Sequence, residues 1–135
     1  MGIETSLKTV FDADATISGL VGGRVRPEVG YPGETAETIA YSAADTPVDH
    51  SEGVTALRKG AIVIECWGPT KDRADALFAA VAAELDVSYP RTFGDVYMQS
   101  MRRIRGDASA SSVEDTNENV PDWYLRTMEY VAVWH

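Results

Sequence analysis

Apolar residues recur along this chain with two different periods, and the changes of period mark its elements. Ile3, Leu7, Val10 and Phe11 fall on one helical face with Glu4, Lys8 and Asp12 opposite, so residues 3 to 13 are predicted to form a short amphipathic helix. Residues 16–23 read as the turn that ends it. Residues 24–36, with Pro27, Gly30, Pro32 and Gly33, hold too many breakers for a regular element. A strand is expected over 37–44, marked by Ile39 and Tyr41, followed by a polar hairpin loop over 45–57, long enough to be a functional projection. The clearest alternation spans 58–67. There Ile62, Ile64 and Cys66 point one way and Ala61, Val63, Glu65 and Trp67 the other, the pattern of a strand covered on both sides.

Gly68-Pro69 stops that strand. Thr70 is a good N-cap, Asp72 stands in the first turn where the helix dipole favours it, and Ala74, Leu77, Phe78, Val81, Ala82 and Leu85 keep helical spacing. After Tyr89-Pro90 the pattern predicts a strand over 96–105, an aperiodic polar segment over 106–121, and a last strand over 123–134. In the last strand Trp123, Leu125, Val131 and Val133 share one face, and Tyr124, Met128, Tyr130 and Trp134 the other. The order helix, strand, strand, helix, strand, strand predicts an α+β domain: a mainly antiparallel four-stranded sheet with two helices packed on one face. The other sheet face, mostly apolar, then needs a partner, and a second subunit is the simplest one.

Composition narrows what that partner and function can be. At 135 residues the chain is expected to form one domain, 1–135, with projections at 45–57 and 106–121. Twelve basic against 21 acidic residues leave a net charge of -9, which argues against a surface that grips duplex DNA, since that affinity comes from Lys and Arg neutralising phosphates. The single cysteine, Cys66, excludes an internal disulfide, and no Cys/His set has metal-ligand spacing. Neither a secretory leader nor a membrane span is expected. His50 lies in an acidic loop and His135 is the last residue, so neither is placed like an oriented general base, and Gly22-Gly23 lacks the Lys-Ser/Thr ending of a phosphate loop. The reading is a protein without catalytic residues, cofactor or metal.

The charge is unevenly placed. Glu28, Glu34, Glu37, Asp45, Asp49 and Glu52 fall between Pro27 and Gly53 with no Lys or Arg, and Asp107, Glu114, Asp115 and Glu118 share the second projection. Arg102, Arg103 and Arg105 form the one tight basic cluster. Two readings stand for it: a solvated strand end with weak surface ion pairs, or a subunit contact reaching acids of the next protomer.

Three segments carry a resemblance to a known family. They are Leu20-Val21-Gly22-Gly23-Arg24-Val25-Arg26-Pro27 after the first helix; Arg58-Lys59-Gly60-Ala61-Ile62-Val63-Ile64-Glu65-Cys66-Trp67 leading into the helix near Thr70; and the closing Trp123-Tyr124-Leu125-Arg126-Thr127-Met128-Glu129-Tyr130-Val131-Ala132-Val133. In their order and spacing the chain resembles the tail-terminator, or tail-completion, family of long-tailed, siphovirus-like phages and related particles. It departs from the commoner pattern in its acidic 106–121 segment and low lysine content.

The resemblance implies a virion subunit without catalysis, assembled in the host cytoplasm and seated at the head-proximal end of the tail. Its expected partners are itself, as a homohexamer ring, the major tail tube protein, and the head-tail connector or neck protein. DNA passes through the channel without specific binding, and no membrane is involved. On this reading Asp107, Glu114, Asp115 and Glu118 form a lumen or partner loop whose charge repels passing DNA. The competing account of the acidity is a high-salt host, with acids spread over all exposed faces. The nearest alternative function is a neck, head-closure or tail-tube subunit; a small ferredoxin-like enzyme or ligand-binding domain, with a pocket of convergent polar groups, is more distant.

Overall fold

Burial of one face, rather than local propensity, decides which short segments become regular here. The computed structural model describes residues 2–29, 36–50, 53–106, 111–113 and 123–135. Helix α1 (Ile3–Ala13) buries Ile3, Leu7, Val10 and Phe11, the predicted face. Asp14 ends it and caps α2 (Ala15–Val21), its carboxylate accepting from the Ile17 N–H at 3.0 Å. The segment expected to be a turn is therefore a second helix. Its seven residues are too few to persist alone; wholly buried Ile17 and Val21 hold it, and Gly22, at φ 54°, closes it in the left-handed conformation glycine favours.

The strands are β1 (Val25–Arg26), β2 (Thr38–Ala43), β3 (Thr46–His50), β4 (Gly53–Gly68), β5 (Arg91–Phe93), β6 (Val96–Gly106), β7 (Ser111–Val113) and β8 (Trp123–Trp134), with α3 (Lys71–Leu85) between β4 and β5. They form one sheet in the order β1-β2-β4-β8-β6-β5, with β3 added to β4 and β7 to β8. Every pair is antiparallel except β1–β2, which is parallel.

This corrects the expected four-stranded sheet with two helices: the described residues form eight strands and three helices. The extra strands are short or polar, and backbone pairing rather than apolar alternation creates them. The 45–57 projection is such a case. It is not a loop but a β-ribbon, β3 lying along the first half of β4 from Thr46 opposite Lys59 to His50 opposite Gly53. Within the 106–121 segment, Ser111–Val113 pairs with residues 123–125 of β8.

One apolar core joins all three helices to the same face of the sheet. Ile39 and Tyr41 of β2, Ile62, Ile64 and Cys66 of β4, Met128, Tyr130, Ala132 and Trp134 of β8 and Met98 and Met101 of β6 pack with α1, α2, Leu77, Phe78, Val81 and Leu85. Helix α3 is where the spacing predicts, with Thr70 accepting from the Arg73 N–H at 3.2 Å. Gly60 lets the chain double back between β2 and β3, since a Cβ there would lie 1.8 Å from the Ala44 carbonyl oxygen. That close approach accompanies the bond from the Ala44 N–H to the Ala61 carbonyl at 3.0 Å.

Candidate interaction surface

Strand register decides which residues share the face that the helices leave open. Ala61 lies opposite Val131, Lys59 opposite Val133 and Val63 opposite Glu129 across the β4–β8 pair; Arg102 is opposite Val131 and Ser100 opposite Val133 across β6–β8. The result is an apolar strip of Ala61, Val63, Val131 and Val133 crossing the centre of the open face. Val131 is 37% exposed although the flanking Tyr130 and Ala132 are buried. A concavity of about 550 Å³ lies on this strip, lined by Thr46, Lys59, Gly60, Ser100, Arg102 and Val131, Ala132 and Val133 of β8. Its floor is apolar and its charged rim cationic. Toward the Gly68 end of β4 the same face is closed by a second, smaller cluster of Ala40, Trp67 and Trp123, with Leu125 against it.

The three arginines expected to act together are separated. Strand alternation puts Arg102 on the open face and Arg103 on the helix face, and a register shift between Arg103 and Arg105 returns Arg105 to the open face. There the Arg103 guanidinium pairs with Asp86 at 3.2 Å and lies 5.5 Å from the Phe78 ring centroid, so it is committed within the subunit. Arg105 reaches Glu129 at 4.0 Å with its side chain 81% exposed, a weak surface pair. Arg102 is exposed at the groove rim. The four acids of the second projection, Asp107, Glu114, Asp115 and Glu118, lie outside the described residues.

The helix face, by contrast, is internally paired. The Tyr130 hydroxyl donates to Asp86 Oδ1 at 2.8 Å, the Tyr41 hydroxyl to the Glu4 carbonyl at 2.8 Å and the Tyr89 hydroxyl to the Leu85 carbonyl at 2.8 Å. Burial pushes the Tyr41 and Tyr89 phenols up to about 12 and Tyr130 further still. Arg126 lies 3.5 Å from the Phe78 ring centroid and 3.5 Å from Asp75. Arg91 binds Glu84 through both the carboxylate and the backbone carbonyl. Beside them the Ile17 N–H, first of all, holds the Asp14 carboxyl below the usual range.

These are groups that fasten helices to strands. The Cys66 thiol is buried in the core, and desolvation raises its pKa, which keeps it protonated and inert. The His135 ring lies 5.0 Å from the Tyr97 ring at a tilt of 42°, while its backbone exchanges two hydrogen bonds with Tyr97. Among the described residues no group of three His, Cys, Asp or Glu is placed to hold a metal ion, and no helix is long and apolar enough to cross a membrane.

The groove residues were only half visible in the sequence. Alternation assigns Ala61 and Val63 to one face of β4, and Val131 and Val133 to one face of β8. What brings Thr46, Lys59, Ser100 and Arg102 to the same place is the register between four strands, two of them shifted by bulges, and no local signal encodes it.

No family model matches the chain, and no curated protein matches it. Eight chains of known structure do. One belongs to a structure described as the "Virion of native gene transfer agent (GTA) particle", with a TM-score of 0.65, 18% sequence identity, and coverage of 98% of this chain and 95% of that chain. At that identity the likeness is one of fold, and it extends end to end.

Proposed function

We propose that this chain is a structural subunit of a phage-like virion, and specifically that it forms a ring capping the tail tube, ends tube growth and joins the tail to the head connector. The observation that carries the virion reading is the fold shared, over nearly the full length of both chains, with a chain of a gene transfer agent virion. The terminator role rests on the resemblance of the three sequence segments. The open sheet face supports a subunit that works by contact: an apolar strip with a cationic rim is suited to burial against another protein surface.

The mechanism proposed is surface complementarity without catalysis or cofactor. A closed ring uses heterologous contacts, in which two different patches of each protomer meet. One ring face then matches the tube and the other the connector or neck, while DNA passes through the channel without specific binding.

Deletion of the gene tests this reading. Loss of a terminator is expected to leave filled heads beside unjoined tails of abnormal length, visible by electron microscopy. Normal joined particles would reject it, and leaking heads beside tails of normal length would assign the subunit to the neck instead.

A further inference from the structure

Resting on the ring reading, we propose that the open-face groove receives the exposed Glu28–Val29 segment of a second copy of this chain. Groove and segment are thus the two unlike halves of the protomer–protomer contact. The groove supplies an apolar floor at Val131 and Val133 and two cations, Lys59 and Arg102, which form no ion pair within the described chain. Its occupant must therefore offer an apolar side chain next to an acid that its own subunit has not already engaged.

Among the described residues few exposed sites meet that requirement. The large apolar side chains that stand exposed among them are those of Val29, Val87, Tyr97, Ile104 and Val131. Val131 is the groove itself. Ile104 sits between Arg103 and Arg105, so it would bring like charge to a cationic rim. Tyr97 is covered on one side by His135. Val87 follows Asp86, whose two carboxylate oxygens are taken by Tyr130 at 2.8 Å and Arg103 at 3.2 Å. Val29 remains, 46% exposed and next to Glu28, which is exposed and forms no ion pair among the described residues.

Position in the sheet agrees with chemistry. The Glu28–Val29 segment follows β1, one edge of the sheet, whereas the groove spans β4, β8 and β6 toward the other. Unlike patches at different places on one subunit suit a heterologous, head-to-tail contact. Such contacts propagate from copy to copy, and close into a ring when the rotation allows. A chain with a net charge of -9 also needs such a contact to overcome its self-repulsion, and setting the free acid of one copy on the free cations of the next does so locally.

Charge reversal with rescue tests the contact. Assembly of the full chain is measured by native mass spectrometry, alone and with purified tail tubes. Arg102→Glu and Glu28→Lys, each made alone, are expected to weaken ring formation about tenfold or more, and the double reversal to recover most of that loss. A second pair keeps the test independent of charge. Val29→Cys with Val131→Cys should give disulfide-linked chains under mild oxidation, while either alone should not, because Cys66 is buried.

Rings that form equally well in every variant, without cross-links, would overturn the contact and leave the ring reading standing. Intact rings that no longer join tubes would assign the groove to the tube protein instead, which also overturns it. An unaltered chain that forms no ring, in solution or on tubes, would remove both readings together.

Discussion

Met128 and Tyr130 on β8 are wholly buried, and the next residue, Val131, is 37% exposed; across one strand the two faces of this sheet meet different demands. On the helix face many polar groups are paired inside the chain: Tyr130 with Asp86, Tyr41 with Glu4, Arg126 with Asp75, Arg103 with Asp86. On the open face Lys59 and Arg102 border an apolar groove and form no ion pair among the described residues. Internal pairing fixes a fold, because a buried polar group is costly unless satisfied. Charge and apolar surface left outward do little for the fold and become useful only when something covers them. Substitutions on the two faces should therefore separate stability from assembly.

The largest expected effect is on the covered face. Ile64→Ala removes a wholly buried side chain at the centre of the core and should cost about 3 kcal/mol, read as a lowered urea midpoint with an unchanged slope. Its neighbour Val63 points to the open face and is half-buried, so Val63→Ala should cost about 1 kcal/mol or less. Equal losses at the two sites would mean that both faces are covered within the monomer, and the comparison would fail.

Next in size is Tyr130→Phe, which deletes the hydroxyl donated to Asp86 and should cost about 1 to 2 kcal/mol. The buried phenols also make the covered face sensitive to alkali. Tyr41 and Tyr89 have folded values of about 12, above the ordinary value near 10. A group raised on folding binds its proton more tightly in the native state, so its contribution is complete below the unfolded value. It is lost as pH rises through the folded one. Circular dichroism should therefore show stability falling between roughly pH 10 and 12. Retention of full stability above that window would contradict the burial of these rings.

The same contrast explains what the sequence made legible. The core face of β4, the closing strand and helix α3 were readable because long periodic runs such as Ile62, Ile64 and Cys66 repeat one decision many times. Helix α2 was not, because Gly19 and Gly22 dominate its local signal while burial of two residues, Ile17 and Val21, decides its state. Strands β1, β5 and β7 have two or three residues each, too few for any alternation to show, and polar β3 contains Pro47. They exist because a neighbouring strand offers backbone partners. The arginine cluster divides for a related reason: adjacency in sequence suggested one patch, whereas alternation turns Arg103 to the helix face and the register shift after it returns Arg105 to the face of Arg102.

A smaller effect belongs to the cap shared by α1 and α2. Asp14→Ala removes the carboxylate bonded to the Ile17 N–H and should cost about 1 kcal/mol at neutral pH. Because folding lowers this pKa, the stabilisation is present above the ordinary carboxylate value of about 4 and fades as pH falls through the folded value. Urea midpoints of the variant should accordingly converge on those of the parent in acid. A gap that persists at low pH would mean that Asp14 acts through packing rather than charge.

The smallest expected effect on stability is at the groove floor, and it is the most discriminating. Val131→Ser alters a side chain already 37% exposed on a face without helices, so the urea midpoint should move by no more than about 0.5 kcal/mol equivalent. Ring formation should nevertheless weaken, because an apolar floor that loses its methyl groups gives an incoming apolar side chain less to bury. A destabilised monomer would show that Val131 is packed within the subunit and that the groove is part of its own core. A stable monomer with undiminished assembly would show that the strip is merely solvent-exposed surface. Only a stable monomer that assembles poorly fits a face whose partner lies outside the chain.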